Sequence, residues 1–357
     1  MSWPAVPEEL LAGPRGRRMC FEMVSPYDAD GKLQQCPGWH DLRFGSGQAD
    51  PAQLARELAA LVAAANLDAV AAITGEAGLL EYVAEAADWA MYWQPSQDWE
   101  QPLITDPIGR ALEPVARALT AAPATRWWSS PPDPGGQQYT QFLSADDGIS
   151  FPRPEPAGAQ EKLAKWRAET VADERESARR PSDPAASYSG WWWSAPALSG
   201  LITTTRSVPG LGALKLRLIE DSLGWTEALC WPMAYRTDVR IYEIRRPEDW
   251  ANLVSRYPLE VTKARWHDWF KVTGRAGTWV IPDYAAMAAD YDAAHLTIGG
   301  YLTTAGRALP VSDGAATMLA GWEPDQTYWL ADVLESAGAP ERWVERDSEL
   351  LGWAAAN

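Results

Sequence analysis

Leu201-Ile-Thr-Thr-Thr-Arg206, Leu214-Lys-Leu-Arg-Leu-Ile-Glu220, Glu227-Ala-Leu-Cys-Trp-Pro-Met233 and Val239-Arg-Ile-Tyr-Glu-Ile244 follow one another closely in this 357-residue chain. Each is a short run rich in β-branched, aromatic or large apolar residues, and Pro209-Gly210, Gly224 and Pro232 punctuate them. That alternation of apolar runs and breakers is the pattern of meander or hairpin strands. Further on, the spacing predicts helices over Pro247–Arg256, with Trp250, Leu253 and Val254 inward, over Pro282–Tyr291, and over Tyr328–Ser336, which stops before Gly338. Between them, Thr278–Ile281, His295–Ile298 and Thr317–Trp322 read as strands. Strands and helices interrupt one another without the regular alternation of a βαβ array.

Working back toward the N-terminus, the character changes twice. Residues 144–187 form a connector. Phe151-Pro-Arg-Pro-Glu-Pro156 cannot enter a central strand or a helix interior. Glu161–Arg180 is almost wholly charged and reads as a surface helix with Leu163, Trp166 and Val171 as its large apolar positions. Residues 1–143 are mainly helical. Asp50-Pro51 and Asp106-Pro107 supply an N-cap with a first-turn proline, and Leu54, Leu58, Leu61 and Val62, then Ile108, Leu112, Val115 and Leu119, keep one face apolar. Glu76–Trp93 has the same period through Leu79, Leu80, Val83 and Ala87. Arg17–Val24 reads as one early strand. The expectation is an α+β protein: an N-terminal helical portion packed on a mixed, largely antiparallel sheet portion with helices, residues 188–357.

Composition narrows the function classes. With 46% apolar residues the chain has enough to bury a core. Its 31 basic against 48 acidic residues give a net charge of −17, the wrong sign for nucleic acid or an anionic membrane surface. No apolar run is long enough to span a bilayer, and the first residues carry no basic segment followed by an apolar one, so a cytoplasmic protein is expected. Cys20, Cys36 and Cys230 are too few for a disulfide framework and are expected reduced, with a Cys20–Cys36 bridge as the alternative. Arg supplies 25 of the basic residues, a bias that, with the Ala, Gly and Pro load, suits a GC-rich actinobacterial genome.

Recognised catalytic signatures are absent: no phosphate loop, no dinucleotide-binding glycine motif, no nucleophile elbow, and no Cys or His spacing for a metal. The anomaly is 21 Trp. Most should serve packing, but the clusters Trp89/Tyr92/Trp93/Trp99, Trp127/Trp128, Trp191–Trp193 and Trp266/Trp269 are more than a core needs. Consecutive residues on a strand face opposite ways, so some of these rings should line a groove or a partner surface. Trp127-Trp128-Ser-Ser-Pro131 and Trp192-Trp193-Ser-Ala-Pro196 even repeat a Trp-Trp-Ser-x-Pro pattern 65 residues apart. The residues expected to bind a ligand are Arg126, Trp128, Trp192, Trp193, Thr203, Thr205 and Arg206. Those expected to carry any chemistry are Glu243, His295 and Asp292, the last two sharing a side if the helix before His295 persists. No metal site and no particular cofactor are assigned, and the expected function is binding of a partner protein or a small ligand in a Trp-lined groove.

An Arg (Arg126), a hydroxyl-rich strand (Thr203-Thr204-Thr205) and a later strand Glu (Glu243), in that order, resemble the ADP-ribosyltransferase arrangement. That resemblance implies a nicotinamide dinucleotide held by the Arg and hydroxyls, with Glu243 supporting ribosyl transfer. The family favours Ser-Thr-Ser where this chain has three Thr, and often Glu or Gln where it has Ile241. Over most of its length the chain also looks like a group of uncharacterised actinobacterial proteins. The carriers are Gly13-Pro-Arg-Gly-Arg-Arg18, Glu220-Asp-Ser-Leu-Gly-Trp225, Ile241-Tyr-Glu-Ile244 with Asp249-Trp250, His295-Leu-Thr-Ile-Gly-Gly-Tyr-Leu-Thr-Thr-Ala-Gly306 and Gly321-Trp-Glu-Pro-Asp-Gln-Thr-Tyr-Trp-Leu330. That likeness implies one continuous architecture.

Overall fold

The computed structural model describes residues 6–24, 50–64, 67, 75–88, 90–96, 100–143, 153–222, 224–312, 314–346 and 352–356. The architecture is α+β, with helices gathered N-terminally against a ten-stranded, largely antiparallel sheet. Its strands are β1 (Gln137–Phe142), β2 (Thr203–Val208), β3 (Gly212–Ala213), β4 (Glu227–Tyr235), β5 (Ile241–Ile244), β8 (Ala293–Leu296), β11 (Gln326–Trp329), β12 (Leu334–Ser336), β13 (Glu341–Glu345) and β14 (Trp353–Ala355). The order is β14-β13-β4-β1-β2-β11-β8-β5, with β12 beside β4 and β3 beside β2. Among the described strands of this sheet only the β5–β8 pair is parallel. Two small ribbons, β6 (Pro258–Glu260) with β7 (Val280–Pro282) and β9 (Leu309–Pro310) with β10 (Ala316–Thr317), stand apart.

The N-terminal helices are α1 (Pro7–Ala12), α2 (Pro14–Val24), α3 (Pro51–Ala64), α4 (Gly75–Asp88) and α5 (Asp106–Ala121). The expected apolar stripes of α3, α4 and α5 are inward: Leu54, Leu58 and Val62, Leu79, Leu80 and Val83, and Ile108, Leu112 and Leu119 are all buried. They join one apolar cluster with Ile244, Trp250, Leu296, Tyr301 and Trp322 from the C-terminal half, so both halves of the chain share a core. The docking is close. At Gly13, between α1 and α2, a Cβ atom would come within 2.3 Å of the Leu302 carbonyl oxygen on α10 (Ile298–Thr304).

Five expectations from sequence are corrected. Arg17–Val24 is not a strand; it lies within helix α2. Nearly every residue of α2 is buried, its charged Arg18 and Glu22 included, so no solvent-facing polar side marks a helical period, and so short a stretch does not by itself tell helix from strand. Its charges are satisfied internally: Arg15 pairs with Glu100 at 2.8 Å and donates to the Ala86 carbonyl, and Arg18 pairs with Glu22 one turn on. Leu214–Glu220 begins with a 3-10 turn, Leu214–Leu216, rather than a strand. Tyr328–Ser336 is not a helix but the end of β11 followed by β12. Pro282–Tyr291 shrinks to the single turn α9 (Tyr284–Met287), and of Thr317–Trp322 only Thr317 lies in a strand, as the second residue of β10. Cys20 and Cys230 are buried free thiols; Cys36, Trp89 and Trp99 lie outside the described residues.

The charged connector helix α6 (Ala159–Ser177) is present and tightly anchored. Asp332 accepts hydrogen bonds from the Gly158 and Ala159 amides at its start. Leu163, Trp166 and Thr170 are buried, with Trp166 edge-on to Tyr284 at 5.3 Å. Glu174 accepts from the Lys263 and Ala264 amides, capping helix α8 (Thr262–Thr273), and Arg167 pairs with Asp283 at 2.6 Å. The remaining helix, α7, spans Pro247–Arg256 with Trp250, Leu253 and Val254 buried, as its periodicity predicts.

Candidate functional site

Trp191–Ser194 runs extended outside the sheet, and its backbone is captured by buried donors. Trp269 Nε1 donates to the Trp192 carbonyl at 2.8 Å and Arg265 Nε to the Trp193 carbonyl at 3.1 Å. Ser194 and Ala320 exchange hydrogen bonds, the Ser194 amide to the Ala320 carbonyl and the Ala320 amide to Ser194 Oγ, both 2.9 Å. Arg265, itself 2% exposed, is fixed by Asp173 of α6 at 3.0 Å. With the main chain held, the rings of Trp192 and Trp193 project into a cavity of about 1010 Å³. Trp93 and Trp192 lie 5.1 Å apart between ring centres, and Trp192 and Trp193 4.9 Å, which makes a contiguous aromatic wall. Trp225 and Tyr328 face the same space.

The opposing surface is polar. Lys215, 7% exposed, enters from the 3-10 turn and pairs with Glu323 at 2.6 Å. Its amide donates to Thr205 Oγ1 at 3.1 Å, so the hydroxyl strand β2 positions it. Glu220 and Asp221 follow at the end of the same segment. Glu220 accepts from the Gly321 amide at 2.8 Å, and burial together with the adjacent Asp221 pushes its carboxyl well above the usual range. Asp221 sits in the left-handed region (φ 59°), accepts from the Met91 amide at 2.9 Å, and burial raises its carboxyl to about 7. Gln326, 1% exposed, lines the cavity with its Oε1 unpartnered in a hydrogen-bond sense. An aromatic wall facing a few convergent polar groups is the usual make-up of a small-molecule site.

Other residues expected from sequence go elsewhere. Register sets Glu243 opposite His295, His295 opposite Thr327, and Thr327 opposite Thr204, and cross-strand partners share a face. The parallel β5–β8 pairing thus brings Glu243 and His295 together, but in a closed polar row that the cavity does not reach. His295 Nδ1 is 2.9 Å from Thr327 Oγ1. Burial, aided by Arg206, lowers the imidazole to about 3, so it is neutral. Burial raises the Glu243 carboxyl to about 8. Arg206 is occupied: its amide and Nε donate to Asp325 at 2.8 and 3.2 Å, and its guanidinium lies 4.8 Å over Trp127.

Asp292 is not a partner of His295. Both lie on or beside a strand rather than a helix, where a spacing of three does not bring side chains to one side; Asp292 instead binds the Arg240 amide and guanidinium. Arg126 is exposed in the 3-10 helix Pro123–Ser129, and Trp128 there is 1% exposed in the core. Of the expected ligand-binding residues, Trp192, Trp193 and Thr203 line the cavity. Thr203, Arg126 and Glu243, on which the ADP-ribosyltransferase resemblance rests, do not line one site. Sequence reasoning missed Lys215, Glu220, Asp221, Glu323 and Gln326 as a group, because their convergence is purely spatial. Glu220–Trp225 and Gly321–Leu330, two of the stretches on which the sequence likeness to uncharacterised proteins rests, supply four of them.

Compared with models of known protein families, with curated proteins and with solved structures, the chain matches none. Among the described residues no helix is long and apolar enough to cross a membrane, and no cluster of His, Cys, Asp or Glu could hold a metal ion.

Proposed function

We propose that this protein binds a small organic molecule in the cavity walled by Trp93, Trp192 and Trp193. The observation that carries the reading is the combination of size and construction. A space of about 1010 Å³ is at the upper end of ligand pockets, and its aromatic wall is held by a backbone fixed at three points and by the Ser194 hydroxyl at a fourth. Rigid support of ring orientation is what recognition needs, since binding then costs little reorganisation. A concave space of this volume favours a small ligand over the flat surface a protein partner would use. Native mass spectrometry of the protein purified from its own cells tests this. The expected result is a bound small molecule that Trp192→Ala loses while remaining folded. A protein that carries nothing, and whose melting temperature no member of a metabolite library shifts, would overturn it.

A further inference from the structure

The chemical class of the occupant follows from how the chain treats its other tryptophans. Arg206 lies over Trp127 at 4.8 Å, Arg153 over Trp231 at 4.9 Å, Lys263 over Trp266 at 4.2 Å and Arg275 over Trp279 at 4.7 Å. Each electron-rich face is thus covered by one of the protein's own cations. Among the described tryptophans that are only partly buried, Trp127, Trp231 and Trp266 are covered in this way, whereas Trp93 and Trp191–Trp193 are not, and Trp192 lies 5.1 Å from Trp93 and 4.9 Å from Trp193 between ring centres. The uncompensated carboxylates lie at this same corner. Asp221 is tied to the Met91 amide, two residues before Trp93. Glu220 is tied to the Gly321 amide, and Gly321 lies so close under Trp193 that a Cβ there would be 2.0 Å from Cδ1.

The cations that line the cavity are already engaged: Lys215 with Glu323, Arg153 over Trp231, and Lys162 with the Glu155 carbonyl. A buried, unpartnered acceptor, Gln326 Oε1, adds to the excess of acceptors over donors. The lining as a whole is mixed in sign, with Arg153, Lys162 and Lys215 against Glu155 and Glu323, but at this corner three uncovered aromatic faces stand beside two acids that form no ion pair among the described residues, an arrangement that favours a cation.

We propose that the ligand is a small organic cation, an amine or quaternary ammonium, seated on Trp93, Trp192 and Trp193 with its charge against Glu220 and Asp221. The assignment rests on the cavity being a ligand site. It also gives a role to two adjacent acids that burial raises: a bound cation favours their ionised forms, and the pair releases protons as it binds. The groups facing this pair are Tyr301 and Glu323 around Glu220, and Arg15, Asp88 and Glu100 around Asp221.

Three probes of one shape separate the possibilities: choline, its neutral isostere 3,3-dimethylbutan-1-ol, and the anion 3,3-dimethylbutyrate, each titrated by calorimetry and tryptophan fluorescence. Choline should bind about tenfold or more tightly than the alcohol. Its affinity should rise as pH climbs through about 7, where Asp221 ionises, while that of the alcohol stays flat. Glu220→Gln and Asp221→Asn should erase the preference for choline and leave the alcohol unaffected. Because the pH comparison uses the unaltered protein, it decides even if a variant fails to fold. Equal binding of choline and the alcohol, tightest binding of the anion, or no binding of choline at millimolar concentration would each overturn the cation assignment while leaving the cavity reading to its own test. Binding of all three unchanged by Trp192→Ala would overturn both.

Discussion

The two Trp-Trp-Ser-x-Pro segments begin from nearly the same sequence and end in opposite circumstances. In Trp127–Pro131 the rings are what the fold holds: Trp128 is sunk in the core and Trp127 is pressed under the Arg206 guanidinium, which also donates to the Ser130 and Pro131 carbonyls. In Trp192–Pro196 the backbone is what the fold holds, through Trp269, Arg265 and Ala320, and the rings are left facing an open space. Side chains spent on packing cannot recognise a ligand, whereas rings left bare on an anchored main chain can. The difference lies in the neighbours, not in the repeated motif.

The sharpest way to break the comparison is to truncate both pairs. Trp128→Ala should cost about 3–5 kcal/mol, the range for emptying a large aromatic site from a core. Trp192→Ala should cost about 1 kcal/mol, the scale of the aromatic pairing it forfeits, because its ring already borders solvent-filled space. Chemical denaturation midpoints measure both; equal losses would mean that Trp192 is core after all. An intermediate effect comes from Gly321→Ala. Gly321 has φ 72°, and a Cβ there would meet Trp193 Cδ1 at 2.0 Å. Strain together with displacement of the Trp193 ring should cost about 1–3 kcal/mol and weaken any cavity ligand far more than Trp128→Ala does. If ligand affinity survives Gly321→Ala, the position of Trp193 is not what the site depends on.

Much of the fold could be read in the sequence where local signals were complete. Asp106-Pro107 and the stripe from Ile108 to Leu119 announced α5, and Pro247 with Trp250, Leu253 and Val254 announced α7 with both its ends. The failures have physical causes. Helix α2 is buried on all sides and loses its polar face, while Leu214–Ile219 is wholly buried and so gives no alternation that its 3-10 turn could contradict. Trp192 and Trp193 could be singled out as too aromatic for a core alone. The acids facing them could not, since Glu220, Asp221 and Glu323 are distant in sequence and meet only through the hydrogen bonds at Gly321 and the Lys215 pair. Glu243 and His295 were also named in advance, and the parallel register of β5 and β8 sets them side by side, but in the closed row rather than at the cavity.

The smallest expected effect separates the two regions by their titration. Beside the first Trp pair, Glu243 is raised from an ordinary 4.5 to about 8 and His295 lowered from 6.5 to about 3, both by burial. Beside the second, Asp221 is raised from 3.8 to about 7. A carboxyl that keeps its proton in the folded state while the unfolded chain loses it makes stability fall as pH rises between the two values. The buried neutral imidazole acts the other way, with stability rising from about pH 3 to 6.5, so it masks Glu243 up to that point and contributes nothing beyond it. Asp221 is ionised in both states above about 7, so the fall from there to pH 8 is left to Glu243 and to Glu220, which burial also holds well above its ordinary value. Denaturation midpoints measured in steps from pH 6 to 9 should decline through this window, and Glu243→Gln, which keeps the shape and removes the ionisation, should flatten the part above 7. Asp221→Asn should flatten the part below 7 and leave the upper part intact. A decline above pH 7 that persists undiminished in Glu243→Gln would mean that this carboxyl is already ionised in the folded protein, and the closed row would then be as open to water as the cavity is.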